Sequence, residues 1–165
     1  MSTTSVPVDR ERFRNVLGHV PTGVVVITAT GEGRRPMGMA VGSFTSVSLD
    51  PPLVAFLPAM SSTTFPAIWR SGSFCANVLG ADQEQLSRRF AVSGGDKFQG
   101  VGWRSAASGS PVIDDVIAWI DCDIEQVTEA GDHYLVLGRV TGLEEERWSS
   151  PLLFFRSGYH RIASS

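Results

Sequence analysis

Gly38-Met39-Ala40-Val41-Gly42-Ser43-Phe44-Thr45-Ser46-Val47-Ser48-Leu49-Asp50-Pro51-Pro52-Leu53-Val54 is the stretch on which the fold turns. From Met37 to about Leu49 the residues suit one long strand, but the alternation of Met39, Val41 and Ser43 slips before Val47 and Leu49. A β-bulge near Gly42 would produce that slip. Asp50-Pro51-Pro52 cannot continue a ladder, because proline has no amide to donate, so the chain turns and re-enters as a buried strand, Leu53 to Leu57. Upstream, Val24 to Thr28 is a β-branched run that loses rotamer freedom in a helix and packs well in a sheet, giving a first strand from Gly23 to Thr30. Gly31 to Pro36 supplies the hairpin turn between these strands.

Further out, Asp9 can cap a short helix in which Phe13, Val16, Leu17 and Val20 recur at helical spacing and Gly18 marks the end. That helix is expected to cover an apolar surface. Ser61, Ser62 and Thr63 precede a helix around Thr64 to Arg70 that Gly72 closes, and Ser73 to Leu79 returns as a strand. Asp82 with Gln85 suggests a capping box for a helix through Phe90, followed by an exposed Gly-rich loop from Val92 to Gly102. Val116 to Val127 alternates, with Ile120, Cys122 and Ile124 on one face and Asp121, Asp123 and Glu125 on a solvated one. Ala130-Gly131-Asp132 turns the chain into a partner strand carrying Tyr134, Val136, Gly138 and Val140, and Leu152 to Tyr159 is the last strand. Six or seven antiparallel strands, three short helices and no βαβ rhythm predict a mainly β protein, a closed or nearly closed antiparallel barrel.

The 165 residues fit one domain, here 9–163 after a flexible tail of 1–8. At 42% hydrophobic and 19% charged residues the chain has enough apolar surface for a core. A net charge of −3 with no basic run argues against nucleic acid or an anionic membrane as partner. Met1 to Asp9 does not resemble a signal peptide and no apolar run approaches membrane-spanning length, so a cytoplasmic protein is expected. Cys75 and Cys122 lack metal-ligand spacing and fit reduced core thiols.

Signatures of hydrolases, phosphate loops and paired-histidine metal sites are missing from the sequence. Hydroxyl groups stand out instead: Ser43, Thr45, Ser46 and Ser48 precede one apolar strand and Ser61, Ser62, Thr63 and Thr64 follow it. A phosphorylated ligand with a polyol chain needs such neutral donors and acceptors, and amides at the start of the 64–70 helix would favour its phosphate, with Arg88 or Arg89 adding charge. Serine and threonine are equally at home in strands, turns and caps, so composition alone leaves the ligand open.

Taken together, the quoted stretch, Pro21-Thr22-Gly23-Val24, Ser87-Arg88-Arg89-Phe90-Ala91 with Lys97-Phe98, Gly131-Asp132-His133 and Phe155-Arg156-Ser157-Gly158-Tyr159 resemble the short-chain flavin reductase family from about Phe13 to Ile162. The resemblance implies the FMN-binding split barrel and hydride transfer from NADH or NADPH to FMN or FAD, supplied to a flavin-dependent monooxygenase. It implies that Met39, Ala40, Val41, Gly42, Ser43 and Ser46 hold the isoalloxazine edge and ribityl chain. Pro58, Ala59, Ser61, Ser62, Thr63, Arg89 and Phe90 would then hold the phosphate side. His133 would lie by the nicotinamide with Arg156, Gly158 and Tyr159, and a homodimer is implied. Gly42 departs from the Asn or Ser of many relatives, which removes a side-chain contact to the flavin. Hydride transfer demands stacking and a dry pocket more than a protein acid or base, so none is nominated. A split barrel that binds flavin as a carrier, electron-transfer module or oxidase would share the opening stretch, and a ligand-free structural barrel would bind no flavin at all.

Overall fold

The computed structural model describes residues 8–163. In chain order the elements are α1 (Arg10–Leu17), β1 (Thr22–Gly23), β2 (Val25–Thr30), β3 (Pro36–Val41), β4 (Thr45–Leu49), β5 (Pro52–Phe56), α2 (Phe65–Ser71), β6 (Ser73–Val78), α3 (Glu84–Phe90), β7 (Trp103–Ser105), β8 (Pro111–Ile113), β9 (Ala118–Ala130), β10 (His133–Glu145), β11 (Leu153–Phe155) and β12 (Gly158–His160). Seven strands form one antiparallel sheet in the order β3-β2-β6-β9-β10-β5-β4, beside a small β1-β11-β12 sheet and a β7-β8 hairpin.

The two edges of the large sheet, β3 and β4, are consecutive in the chain and separated only by Gly42–Phe44. Three linking residues span roughly 10 Å at full extension, so the sheet must curl until its edges nearly meet. The result is a barrel left unpaired along one seam, a split barrel. The single strand expected from Met37 to Leu49 is therefore two strands. Its break falls at Gly42–Phe44, and the bulge sits further on, where the β4-β5 register shifts between Ser46 and Ser48.

β2 explains its continuous apolar run by being covered on both sides. Val25, Ile27 and Ala29 face the barrel interior with Phe56, Phe74 and Val136, into which α2 inserts Phe65 and Ile68. Val24 and Val26 face a second core with Leu79, Phe90, Phe98, Ile113 and Leu152. Both cysteines are free and buried, and burial raises both thiol pKa values, that of Cys122 to about 12.

Several local expectations need correction. Asp9 does cap α1, its carboxylate accepting from the Arg12 amide at 2.7 Å, yet α1 buries none of its residues, and Phe13, Val16 and Leu17 stand exposed. The Asp82/Gln85 capping box is absent: α3 begins after Gln83 with no side-chain cap, and the Asp82 carboxylate takes Arg147 instead, at 2.6 Å. The 92–102 segment is not simply exposed, because Phe98 is buried edge-on between Phe90 and Trp103. The β7-β8 hairpin was not anticipated. Buried Thr28 and Asn77 hold it, the Thr28 hydroxyl donating to the Pro111 carbonyl and the Asn77 carbonyl accepting from the Ile113 amide. Asp121 is buried, not solvated. The last strand is a hairpin, β11-β12, whose two-residue turn Arg156-Ser157 has φ values of 48° and 63°, the geometry of a type I′ turn. The tail expected at 1–8 lies, but for Val8, outside the described residues.

Candidate functional site

Where the sheet splits, a cleft of about 660 Å³ opens, lined by Met39–Ser43 from the end of β3, by Leu57–Ala59 after β5, by Phe154–Ser157 of the terminal hairpin and by Phe13, Arg14 and Leu17 of α1. Its position follows from the chain's local chemistry. Gly42–Phe44 leaves the β2 pairing, and the freed link is caught by the Leu57 amide, which donates to the Ser43 hydroxyl at 2.9 Å. That hydroxyl still has its own proton to donate. The Arg156 amide donates to the Gly18 carbonyl at 2.9 Å, pinning the type I′ turn against the end of α1.

Gly42 has a steric reason. A Cβ there would come within 2.7 Å of the Thr22 hydroxyl oxygen, and Thr22 itself lines the cleft. The hydroxyl of Thr22 thus occupies the space that a side chain at position 42 would need. Gly38 is similarly required, because a Cβ would meet the Phe90 ring at 2.9 Å and the Ile27 carbonyl at 3.0 Å.

A second lobe, of about 820 Å³, is lined by Gly38, next in the chain to Met39, and by Thr63, Thr64, Lys97, Trp103 and the Arg35–Met37 segment among others. Lys97 is half-buried, its Nζ donating to the carbonyls of Gly38 at 3.2 Å and Phe90 at 3.5 Å. Burial lowers its pKa from the ordinary lysine value. No carboxylate pairs with it among the described residues, since Asp96 turns its Oδ1 to the Phe98 amide. A half-buried cation satisfied only by carbonyls has affinity to spare for an anion.

The residues singled out from sequence divide accordingly. Met39, Ala40, Val41, Gly42, Ser43, Pro58, Ala59 and Arg156 line the first cleft, and Thr63 lines the second lobe. Ser62 stands between them: its hydroxyl accepts from the amides of Thr64 and Phe65 and lies 3.9 Å from the Met39 sulfur. Those amides are therefore spent on Ser62, and α2, seven residues long, offers no free N-terminal anion site. Ser61 is exposed on the same turn. His133 is joined to this region by backbone, through the Ala59–His133 bridge and the Met60 amide's bond to the Asp132 carbonyl. Its Nδ1 lies 2.7 Å from the Asp132 carboxylate, a hydrogen bond that holds that carboxyl below its usual range.

Five candidates are placed elsewhere. Ser46 is exposed on β4. Arg89 donates to the Gln99 carbonyl at 2.6 Å. Phe90 is a core residue beneath Gly38. Tyr159 packs on α3, its hydroxyl 2.8 Å from that of Ser87 and its ring under the Arg88 guanidinium. Gly158 lies beside it on β12 and lines neither cavity. Thr22, Lys97 and the α1 residues were not selected from sequence as site residues. For Lys97 the available signal was a lone cation between a Gly-Gly pair and an aromatic.

A flavin suits this donor set: an apolar, backbone-walled cleft for a flat ring, a serine hydroxyl with a free proton beside it, and a lysine and a threonine in the second lobe for phosphate. No cluster of three or more metal-ligating side chains occurs among the described residues. A flavin reductase of Pseudomonas putida is 54% identical over 157 residues, covering 95% of this chain and 92% of its own. Nitrilotriacetate monooxygenase component B from Mycobacterium thermoresistibile superposes with a TM-score of 0.90 at 47% identity, covering 94% of this chain and 87% of that one. The NADH:FAD oxidoreductase SgcE6 of Streptomyces globisporus, solved with NAD and FAD fragments, gives a TM-score of 0.88 at 36% identity over 94% of this chain and 93% of that one. A family model described as the flavin reductase like domain matches residues 17–163, and with that match the chain belongs to the flavin reductase family.

Proposed function

We propose that the chain is an NAD(P)H-dependent flavin reductase, moving a hydride from NADH or NADPH to FMN or FAD and supplying the reduced flavin to a partner monooxygenase. The observation that carries this reading is the cleft at the split of the barrel, where Met39–Ser43, Leu57–Ala59 and Phe154–Ser157 converge beside a lobe holding Lys97 and Thr63. The flavin supplies the hydride-accepting chemistry. The protein supplies position: Met39–Ser43 and Pro58–Ala59 hold the ring, Ser43 and Ser61 meet the ribityl chain, and Thr63 and Lys97 meet the phosphate. His133, fixed by Asp132, and Arg156 orient the nicotinamide at the open side, and exclusion of water by the apolar walls favours direct transfer.

A homodimer belongs to the same reading. Phe13, Val16 and Leu17 are exposed in the monomer, and two of them line the cleft, so a second copy over α1 would cover the apolar face and close the site. Cys75 and Cys122 are free, the state that a reducing compartment maintains, which supports a cytoplasmic location. No helix of the described residues is long and apolar enough to cross a membrane. Steady-state oxidation of NADH and NADPH, each with FMN, FAD and riboflavin, tests the proposal. Oxidation should depend on added flavin, whereas a protein that binds flavin and leaves it oxidised would be a carrier.

A further inference from the structure

The 820 Å³ lobe is larger than one phosphate needs, and it does not end at Lys97. A third cavity of about 340 Å³ abuts it, and the two share Arg35, Pro36, Met37 and Ala67 as a common wall. This extension is lined in addition by Arg70 and Glu32. Arg35 and Arg70 are exposed, and among the described residues neither makes an ion pair or side-chain hydrogen bond, not even with Glu32. Two guanidinium groups, unpaired among the described residues, thus line the extension, Arg35 on the wall it shares with the lobe. The walls carry three cations (Arg35, Arg70 and Lys97) against two carboxylates (Glu32 and Asp96), and Asp96 is already engaged by the Phe98 amide.

We propose that Arg35 and Arg70 are specificity-determining residues that receive the adenylate half of FAD, so that the chain prefers FAD to FMN. The inference rests on the flavin reading above, with the first phosphate at Thr63 and Lys97. FMN ends at that phosphate and leaves the extension empty. FAD continues through a second phosphate to a ribose and a flat purine, and a planar guanidinium suits both partners, bonding phosphate in a bidentate fashion and stacking on an aromatic ring. The 2′-phosphate of NADPH is also anionic but reaches the wrong side. His133 and Arg156, the nicotinamide candidates, line neither the lobe nor its extension.

Isothermal titration of FAD, FMN and riboflavin into the wild type, Arg35→Gln/Arg70→Gln and Lys97→Gln tests this, with thermal melting as a control for folding. The double arginine variant should weaken FAD about tenfold or more while FMN and riboflavin keep their affinities. AMP should compete with FAD and not with FMN. Equal weakening of FAD and FMN, or unchanged FAD affinity, would overturn the proposal, as would an effect confined to the KM for NADPH. Lys97→Gln should weaken FAD and FMN alike and spare riboflavin. If it spares all three, the flavin-phosphate reading fails first and the arginine proposal with it.

Discussion

Ser61, Ser62 and Thr63 are three adjacent hydroxyls with different tasks. Ser62 accepts from two amides at the start of α2, so Ser62→Ala should lower stability by about 0.5–2 kcal/mol, visible in denaturant melts. Ser61→Ala with Thr63→Ala should instead weaken flavin binding, by about 1–3 kcal/mol in a fluorescence titration, and leave the melt in place. Sequence alone does not separate them, since which hydroxyl turns inward depends on how the 57–63 turn leaves β5. His133 makes a sharper case. Its Nδ1 is held by Asp132, which leaves Nε2 for a ligand. His133→Ala should raise the KM for nicotinamide or lower kcat/KM by about 1–3 kcal/mol, with flavin affinity unchanged. Full nicotinamide kinetics in a destabilised variant would make it a structural residue. Asp121 shows what strand alternation misses: it shares a face with Asp123 and Glu125, but the loop before β8 folds over it. There its carboxylate accepts from the Ser108 amide at 3.0 Å and hydroxyl at 2.6 Å. Asp121→Ala should therefore cost about 1–3 kcal/mol in chemical denaturation, while Asp123→Ala costs little.

At the scale of elements, the strands that alternate or run apolar were legible: β2, β5, β6 and the long β9-β10 hairpin follow from β-branched content, period and turn residues. The β3-β4 division was not, because the residues on both sides of Gly42 favour strand equally, and only the rest of the sheet decides that one end pairs with β2 and the other with β5. The α1 helix was found, cap included, but its apolar residues Phe13, Val16 and Leu17 stay exposed on this chain. Phe13→Glu with Leu17→Glu should convert a dimer to a monomer in light scattering at micromolar concentration, with reduced flavin affinity. A wild-type monomer would remove the dimer from the account. The 146–151 segment leading to β11 is tied by Glu146, which accepts from Arg104 and from Trp119, and by Asp82 with Arg147. Hydrogen bonds from these partners hold both carboxyls below their usual pKa. Their contribution is present above the ordinary carboxylate pKa and is lost as pH falls through the lowered values. Both pairs are substantially exposed, so salt should weaken it further.

For the whole molecule, one geometric fact organises the rest. A seven-stranded sheet whose two edge strands are neighbours in sequence must curl and remain open along one seam, and the cleft is at that seam. Gly42–Phe44 supplies the topological link, and Gly42 and Ser43 also line the cleft. We expect this cleft to bring a flavin and a nicotinamide face to face for direct hydride transfer. Anaerobic stopped-flow mixing of the flavin-loaded protein with NADH, or with NADH deuterated at the transferred C4 position, tests it most directly. Rapid bleaching of the flavin's visible band, slowed by deuterium on one face of the nicotinamide only, is the expected result; flavin that stays oxidised with both NADH and NADPH would rule direct transfer out.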